Sequence, residues 1–153
     1  MAIPDRVPIA YEPEYRTSHI GVHDDGQFLG SVTATLDDGA AALRDWFRHK
    51  RWYAVLHRFD PDGTHVDSQI WCAGTSEHED TSIERAQARL DEWLAALPGR
   101  TPGDIAVRLF RVEFDGHTFG LVDRSEEYDG DDHAELLPDE LGFDPPWDGT
   151  YDT

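Results

Sequence analysis

Histidines and carboxylates are the residues of this chain whose types and spacing invite chemistry. His19 and His23 would point to the same face of a strand, and His57 and His65 flank one turn closely enough to be neighbours across a hairpin. Imidazole is a common zinc ligand, but a zinc site needs three or four convergent ligands, and each pair supplies two. Cys72 beside a histidine would make a nucleophile pair, yet its place next to Trp71 at the end of an apolar stretch suits a buried thiol better. Two acidic clusters, Asp60-x-Asp62-Gly63 and Asp129-Gly130-Asp131-Asp132 with Glu135 beyond, imitate calcium loops without the fixed spacing or the closing bidentate Glu. Glu113, Asp115 and His117 bracket a tight turn that offers little shelter for acid–base work. Trp52, Tyr53, His57, His65 and Trp71 lie on two adjacent strands, and a concave sheet would gather them into a small-molecule or enzymatic pocket.

The phosphate-binding G-x-x-x-x-G-K-[ST] and G-x-G-x-x-G patterns are absent, as are G-x-S-x-G, H-E-x-x-H and C-x-x-C. The expectation is a protein with no metal, no cofactor and no assignable catalytic residue. An enzyme assembled from scattered residues stays open.

Charge is the most extreme property. Thirty-two Asp and Glu stand against 13 Lys and Arg, a net −19 with neutral histidines. Such a field repels nucleic acid and anionic membranes and draws in a protein with a basic surface, although solubility alone is also served by it. Arginine outnumbers the single Lys50 twelve to one, a bias that fits a GC-rich genome. The one cysteine makes no internal disulfide, no apolar run approaches the ~20 residues of a bilayer span, and no basic-then-apolar leader opens the chain. These features point to the cytoplasm.

Positioning any of these residues requires a scaffold, and 153 residues suffice for one domain that buries roughly 68–70% of its unfolded surface. Periodicity predicts an α+β fold, an antiparallel sheet of about six strands in the order β-β-β-β-α-β-β. After an extended lead-in over 1–15, strands are expected over 17–22 and about 27–36, joined by Asp24-Asp25-Gly26. In the second, Phe28, Gly30, Val32, Ala34 and Leu36 share one face and Gln27, Ser31, Thr33 and Thr35 the other, as in a half-buried strand. A short helix over 40–49, capped by Asp38, leads to a central strand over 52–59, and Asp60-Pro61-Asp62-Gly63 turns it into a strand over 64–72. Ile83, Ala86, Leu90, Trp93, Leu94 and Leu97 form the stripe of the main helix, with Thr81-Ser82-Ile83-Glu84 as a capping box. Strands over 104–114 and 117–123 follow, joined by Asp115-Gly116.

From residue 123 the composition changes, so the chain divides into a domain over 1–122 and an acidic, aromatic segment over 123–153, partly docked on it, with a mobile centre around Gly130 to Asp132. The segment holds twelve carboxylates against Arg124 alone, eleven of the nineteen net charges. Arg44, Arg48, Lys50, Arg51 and Arg58 against Asp45 form the opposite pole, a basic patch expected to hold the acidic segment or else an anionic partner.

Several runs carry a resemblance: 51–59 (RWYAVLHRF), Asp62-Gly63, Leu97-Pro98-Gly99-Arg100, Gly103-Asp104-Ile105, 119–123 (FGLVD) and the closing 146–153 (PWDGTYDT). Together they resemble the small acidic proteins of high-GC bacteria labelled formate hydrogenlyase regulatory protein. The resemblance implies a non-enzymatic regulator acting through protein contacts on a formate-responsive transcription system, and carries over no site residue.

The functional expectation is therefore a protein-binding regulator or inhibitor that meets a basic partner through Glu135, Asp139, Glu140, Asp144, Trp147 and Asp148, the carboxylates steering and the aromatic anchoring. Small acidic α+β immunity proteins that neutralise basic toxins offer a second model. The aromatic and histidine pocket is the third.

Overall fold

The computed structural model describes residues 2–153. In chain order the elements are β1 (Val7–Ile9), β2 (His19–His23), β3 (Gly26–Leu36), β4 (Lys50–Phe59), β5 (His65–Thr75), α1 (Glu79–Ala95), β6 (Thr101–Pro102), β7 (Ile105–Val107), β8 (Phe110–Phe114), β9 (His117–Asp123), β10 (Ala134–Leu137) and β11 (Leu141–Phe143). The fold is mixed α and β with antiparallel pairing throughout, but the strands form three sheets instead of one sheet of six. A five-stranded sheet runs β5-β4-β3-β2-β6, a four-stranded one β11-β10-β9-β8, and β1 pairs with β7.

The difference originates at residues 104–114, expected as one strand. Ile105 and Val107 turn inward at odd positions, whereas Phe110 is buried at an even one, so the pleat changes phase between them. The Arg108 N–H leaves the ladder and donates to the Gly63 carbonyl at 2.9 Å. Gly63 sits at φ +84°, and a Cβ there would lie 2.6 Å from the Ala106 carbonyl oxygen, so glycine permits the close approach.

The sheets stack because each covers apolar surface of the other. On one face of the five-stranded sheet, Ala86, Leu90 and Leu94 of α1 pack on Phe28, Ala54, Leu56 and Ala73. On the opposite face Tyr53 and Val55 meet Phe119, with Val112 and Phe114 partly buried beside them. Further along, Leu29 and Phe59 join Phe110, Leu121, Leu136 and Phe143 in the largest core cluster. β4 is central and covered on both sides, as its sequence implies. β3 is also covered on both: Thr33 and Thr35, expected to face water, are buried because the second sheet occupies that side.

Two local expectations are corrected. The main helix starts at Glu79, ahead of the supposed capping box, because a 3₁₀ turn over Ser76–His78 leads into it and the Thr75 hydroxyl accepts from the Glu77 N–H at 3.3 Å. The Ser82 hydroxyl donates to the Thr75 carbonyl at 2.8 Å instead of capping. The helix over 40–49 is two 3₁₀ turns, Ala40–Ala42 and Trp46–Arg48, separated by extended backbone at Leu43; Gly39 at φ 77°, not Asp38, precedes the first.

Residues 123–153 contribute β10 and β11, and the proposed boundary at 122 runs through β9. Ala134 pairs with Asp123 across it. Ala134, Leu136, Leu141 and Phe143 are core residues, and Asp152 closes the edge by exchanging two backbone hydrogen bonds with Gly142 at 2.8 and 2.9 Å. No helix among the described residues is long and apolar enough to cross a membrane.

Gln27 joins β3 to β7. Its buried amide donates to the Ala106 carbonyl at 3.0 Å and accepts from the Ala106 N–H at 2.8 Å, replacing a missing strand partner. Gln27→Leu leaves both backbone groups unpaired, so it should lower stability by about 1–3 kcal/mol per group, read as a shift in the urea midpoint at unchanged slope.

Candidate functional site

The five residues expected to line a pocket do not meet. Pleating sends Trp52 and Trp71 to the helix side and Tyr53 and His57 to the side of the second sheet. The Trp52 indole donates to the Ser76 hydroxyl at 2.8 Å, and Arg89 lies over Trp71 at 4.1 Å. Tyr53 is fully buried and donates to Asp115 at 3.2 Å. His57 and His65 are neighbours and share the Ser68 hydroxyl, at 2.6 and 2.7 Å, beneath the Phe110 ring. Burial drives the His57 imidazole down to about 3, so it is neutral at ordinary pH, and burial lowers His65 as well.

Other chemical candidates are structural. The Asp60 carboxylate accepts from the Asp62 and Thr64 N–H groups at 2.9 and 3.0 Å, an Asx turn. Glu113 is held by Arg111 and Thr118, whereas His117 turns to Asp37 at 3.1 Å. Cys72 packs half-buried beside the Tyr53 cluster. The basic patch does not hold the acidic segment: Arg48 pairs with Glu77 at 3.5 Å, Arg51 with Asp37 at 2.7 Å, and Arg58 with Asp67. Each of these acids is nearer along the chain or across the sheet than any carboxylate after residue 122.

A concave site is built between β9 and β10. Ser125 accepts the His133 N–H at 3.1 Å and donates to Asp123 at 2.6 Å, which holds the Asp123 carboxyl below its ordinary range. Hydrogen bonds from Gly130 and Asp131 to the Ser125 and Tyr128 carbonyls, each 3.0 Å, fold the loop back over this turn. Asp129 and Gly130 take positive φ to do so. The Tyr128 ring then stacks on His133 at 3.8 Å between centroids. His133 is 5% exposed and its Nε2 has no hydrogen-bond partner, while Tyr128 is 46% exposed.

Around this stack lie two adjoining concavities of about 760 and 370 Å³. Glu127, Asp129, Asp131, Asp132 and Asp144 line the first; Glu135, Glu140, Asp144 and Asp152 line the second. Neither is lined by Lys or Arg. The nearby Arg124 guanidinium is engaged by Glu127. Among the described residues no three His, Cys, Asp or Glu converge as a metal ion would require. The arrangement suits a dispersed cation, an ammonium or guanidinium that takes the open Tyr128 face and several carboxylates at once.

Of the six residues expected to contact a partner, Glu135, Glu140 and Asp144 line this site. Asp139 faces the other way: its carboxylate accepts from Ser31 at 3.3 Å, and burial raises it above the usual carboxylate range. Trp147 packs half-buried on the core, and Asp148 is turned to the Thr150 hydroxyl at 2.7 Å. Tyr128 and His133 were missed as site residues, although an aromatic preceding Asp129-Gly130-Asp131-Asp132-His133 was visible in the sequence.

His57 yields a pH prediction. Its folded pKa lies below the unfolded value near 6.5, so the unfolded chain binds the extra proton and stability falls as pH drops from 6.5 toward 3, by about 1.4 kcal/mol per unit for this residue. In His57→Phe, denaturant titrations between pH 6 and pH 5 should show a slope smaller by about that amount. A comparison of the chain with family models, curated proteins and solved structures finds no match.

Proposed function

We propose that this protein is a protein-binding regulator or inhibitor that captures a basic partner through the acidic face around Tyr128 and His133. The observation that carries the reading is the pair of concavities lined by eight carboxylates and no Lys or Arg, gathered about one open aromatic ring. Net charge supplies long-range steering, and the concave cluster supplies the direction of approach. Tyr128 is the anchor, because a ring already stacked on a buried histidine has little freedom left to lose on binding. Asp144 borders both concavities and would serve the same cation from the opposite side. The partner chemistry required is a protrusion of Lys or Arg; a cationic toxin bound by an immunity protein would present one.

Charge reversal separates this site from the field of the whole molecule. Asp131→Lys with Asp132→Lys and Asp144→Lys should abolish low-salt capture of a basic protein by the immobilised chain. The same reversal on the exposed face of α1, at Glu84, Asp91 and Glu92, should weaken it severalfold and no more. Equal loss from both triple variants would overturn the reading, since capture would then depend on total charge. Tyr128→Ala should weaken capture about tenfold with little change in its salt dependence.

A further inference from the structure

A second surface lies along the edge of β3 and meets the acidic face at Glu140, which lines both. β3 is eleven residues long, but β2 pairs only with Gly26 to Gly30, whereas β4 pairs from Gln27 to Leu36. From Ser31 to Leu36 one side of the strand has no strand partner, and no other backbone hydrogen bond reaches it among the described residues. In an antiparallel sheet, alternate residues of such an edge aim their N–H and C=O groups outward, a ready template for one more strand.

This edge lies in a cleft of about 770 Å³. Trp46, Lys50 and Trp52 form one wall; Thr118 and the turn from Leu137 to Glu140 form the other, with Arg16 at one end. Arg16 donates to the Asp139 carbonyl at 2.7 Å across that end, and β2 begins only at His19, opposite Gly30. The six open residues span about 20 Å. The outer edge of β5 is also free, but register shifts opposite Trp52/Tyr53 and Arg58/Phe59 interrupt it, and an interrupted ladder is a poor template.

We infer that this cleft binds an extended segment of another protein by strand addition, antiparallel to β3 and in line with β2, with a carboxylate near its N-terminal end. Antiparallel entry places that end beside Leu36 and its cross-strand neighbour Lys50. Lys50 lies over the Trp52 ring at 4.9 Å and has no carboxylate within ion-pair distance among the described residues, an unmatched cation in a strongly acidic protein. Alternate side chains of the incoming strand would fall on the Trp46–Trp52 wall, which takes apolar groups, and on the wall of Thr118 and the Leu137–Glu140 turn, whose hydroxyl and carboxylates take small hydroxyl-bearing ones. A second copy of this chain is the poorer occupant: its own edge is recessed between the same walls, and each copy carries −19.

The test uses fluorescein-labelled hexapeptides with Glu first, Val third and fifth, and Thr or Ser between, titrated with the full chain and followed by anisotropy. Saturable binding is expected. N-methylation of one alternate set of peptide amides should abolish it, and methylation of the other set should change it less than about threefold, since only one set faces β3. Lys50→Glu, its fold checked by circular dichroism, should weaken the Glu-first peptide at least about tenfold and favour a Lys-first one. No saturable binding by either peptide up to about millimolar concentration, equal tolerance of both methylation patterns, or a concentration-dependent dimer that sedimentation shows to be broken by Lys50→Glu would overturn the inference.

Discussion

The burial of β4 constrains everything else in this molecule. Tyr53, Ala54, Val55, Leu56 and His57 are five consecutive buried residues, so successive side chains must find cover on opposite faces of one sheet. A single helix can supply one cover, and Ala86, Leu90 and Leu94 do so. The other cover has to come from elsewhere in the chain, and it comes from β8 and β9 with β10 and β11 docked beyond them. The acidic segment is therefore recruited into the fold by Ala134, Leu136, Leu141 and Phe143, whatever its charge. Most carboxylates of the segment stay at the surface, because an unpaired buried charge is costly; Asp139, turned inward onto Ser31, is the exception.

That layering decides where binding surfaces can exist. With both faces of the five-stranded sheet filled, no concavity opens onto its centre, and Tyr53 and His57 are unreachable despite their chemistry. Only the margins are available. One is the turn between β9 and β10, where acidic residues gather around the Tyr128–His133 stack; the other is the stretch of β3 that outruns β2. The two differ in physical character. The first is electrostatic and long-ranged, and salt should weaken it. The second rests on backbone hydrogen bonds and side-chain alternation, and salt should affect it chiefly through Lys50.

The elements legible in the sequence were those set by local rules. The period of α1, the alternation and centrality of β4, and the turns at Asp24-Asp25-Gly26 and Asp115-Gly116 all follow from neighbours within a few residues. What could not be read locally depended on a distant cover. Thr33 and Thr35 look solvent-facing until β9 is placed over them, and a strand over 104–114 looks continuous until Gly63 captures Arg108. The site divided in the same way. Glu135, Glu140 and Asp144 were visible as part of a carboxylate surplus, but Asp139 was drawn inward by Ser31, a residue 108 positions away. Tyr128 acquired meaning only through its stacking on a histidine that β10 fixes in place. The basic patch failed for a related reason: Asp37 and Glu77 reached its arginines before any acid of the last segment could.

Amide hydrogen exchange of the free protein, resolved residue by residue, tests the central claim that this sheet is sealed on its faces and open along β3 where that strand outruns β2. The architecture predicts that β4 amides exchange only through global unfolding, while from Ser31 to Leu36 slow and fast amides alternate, the fast ones lying on the side without a partner strand. Uniform protection through that stretch would mean that the edge is already covered, and rapid exchange within β4 would mean that one face is not. Either result would contradict the account.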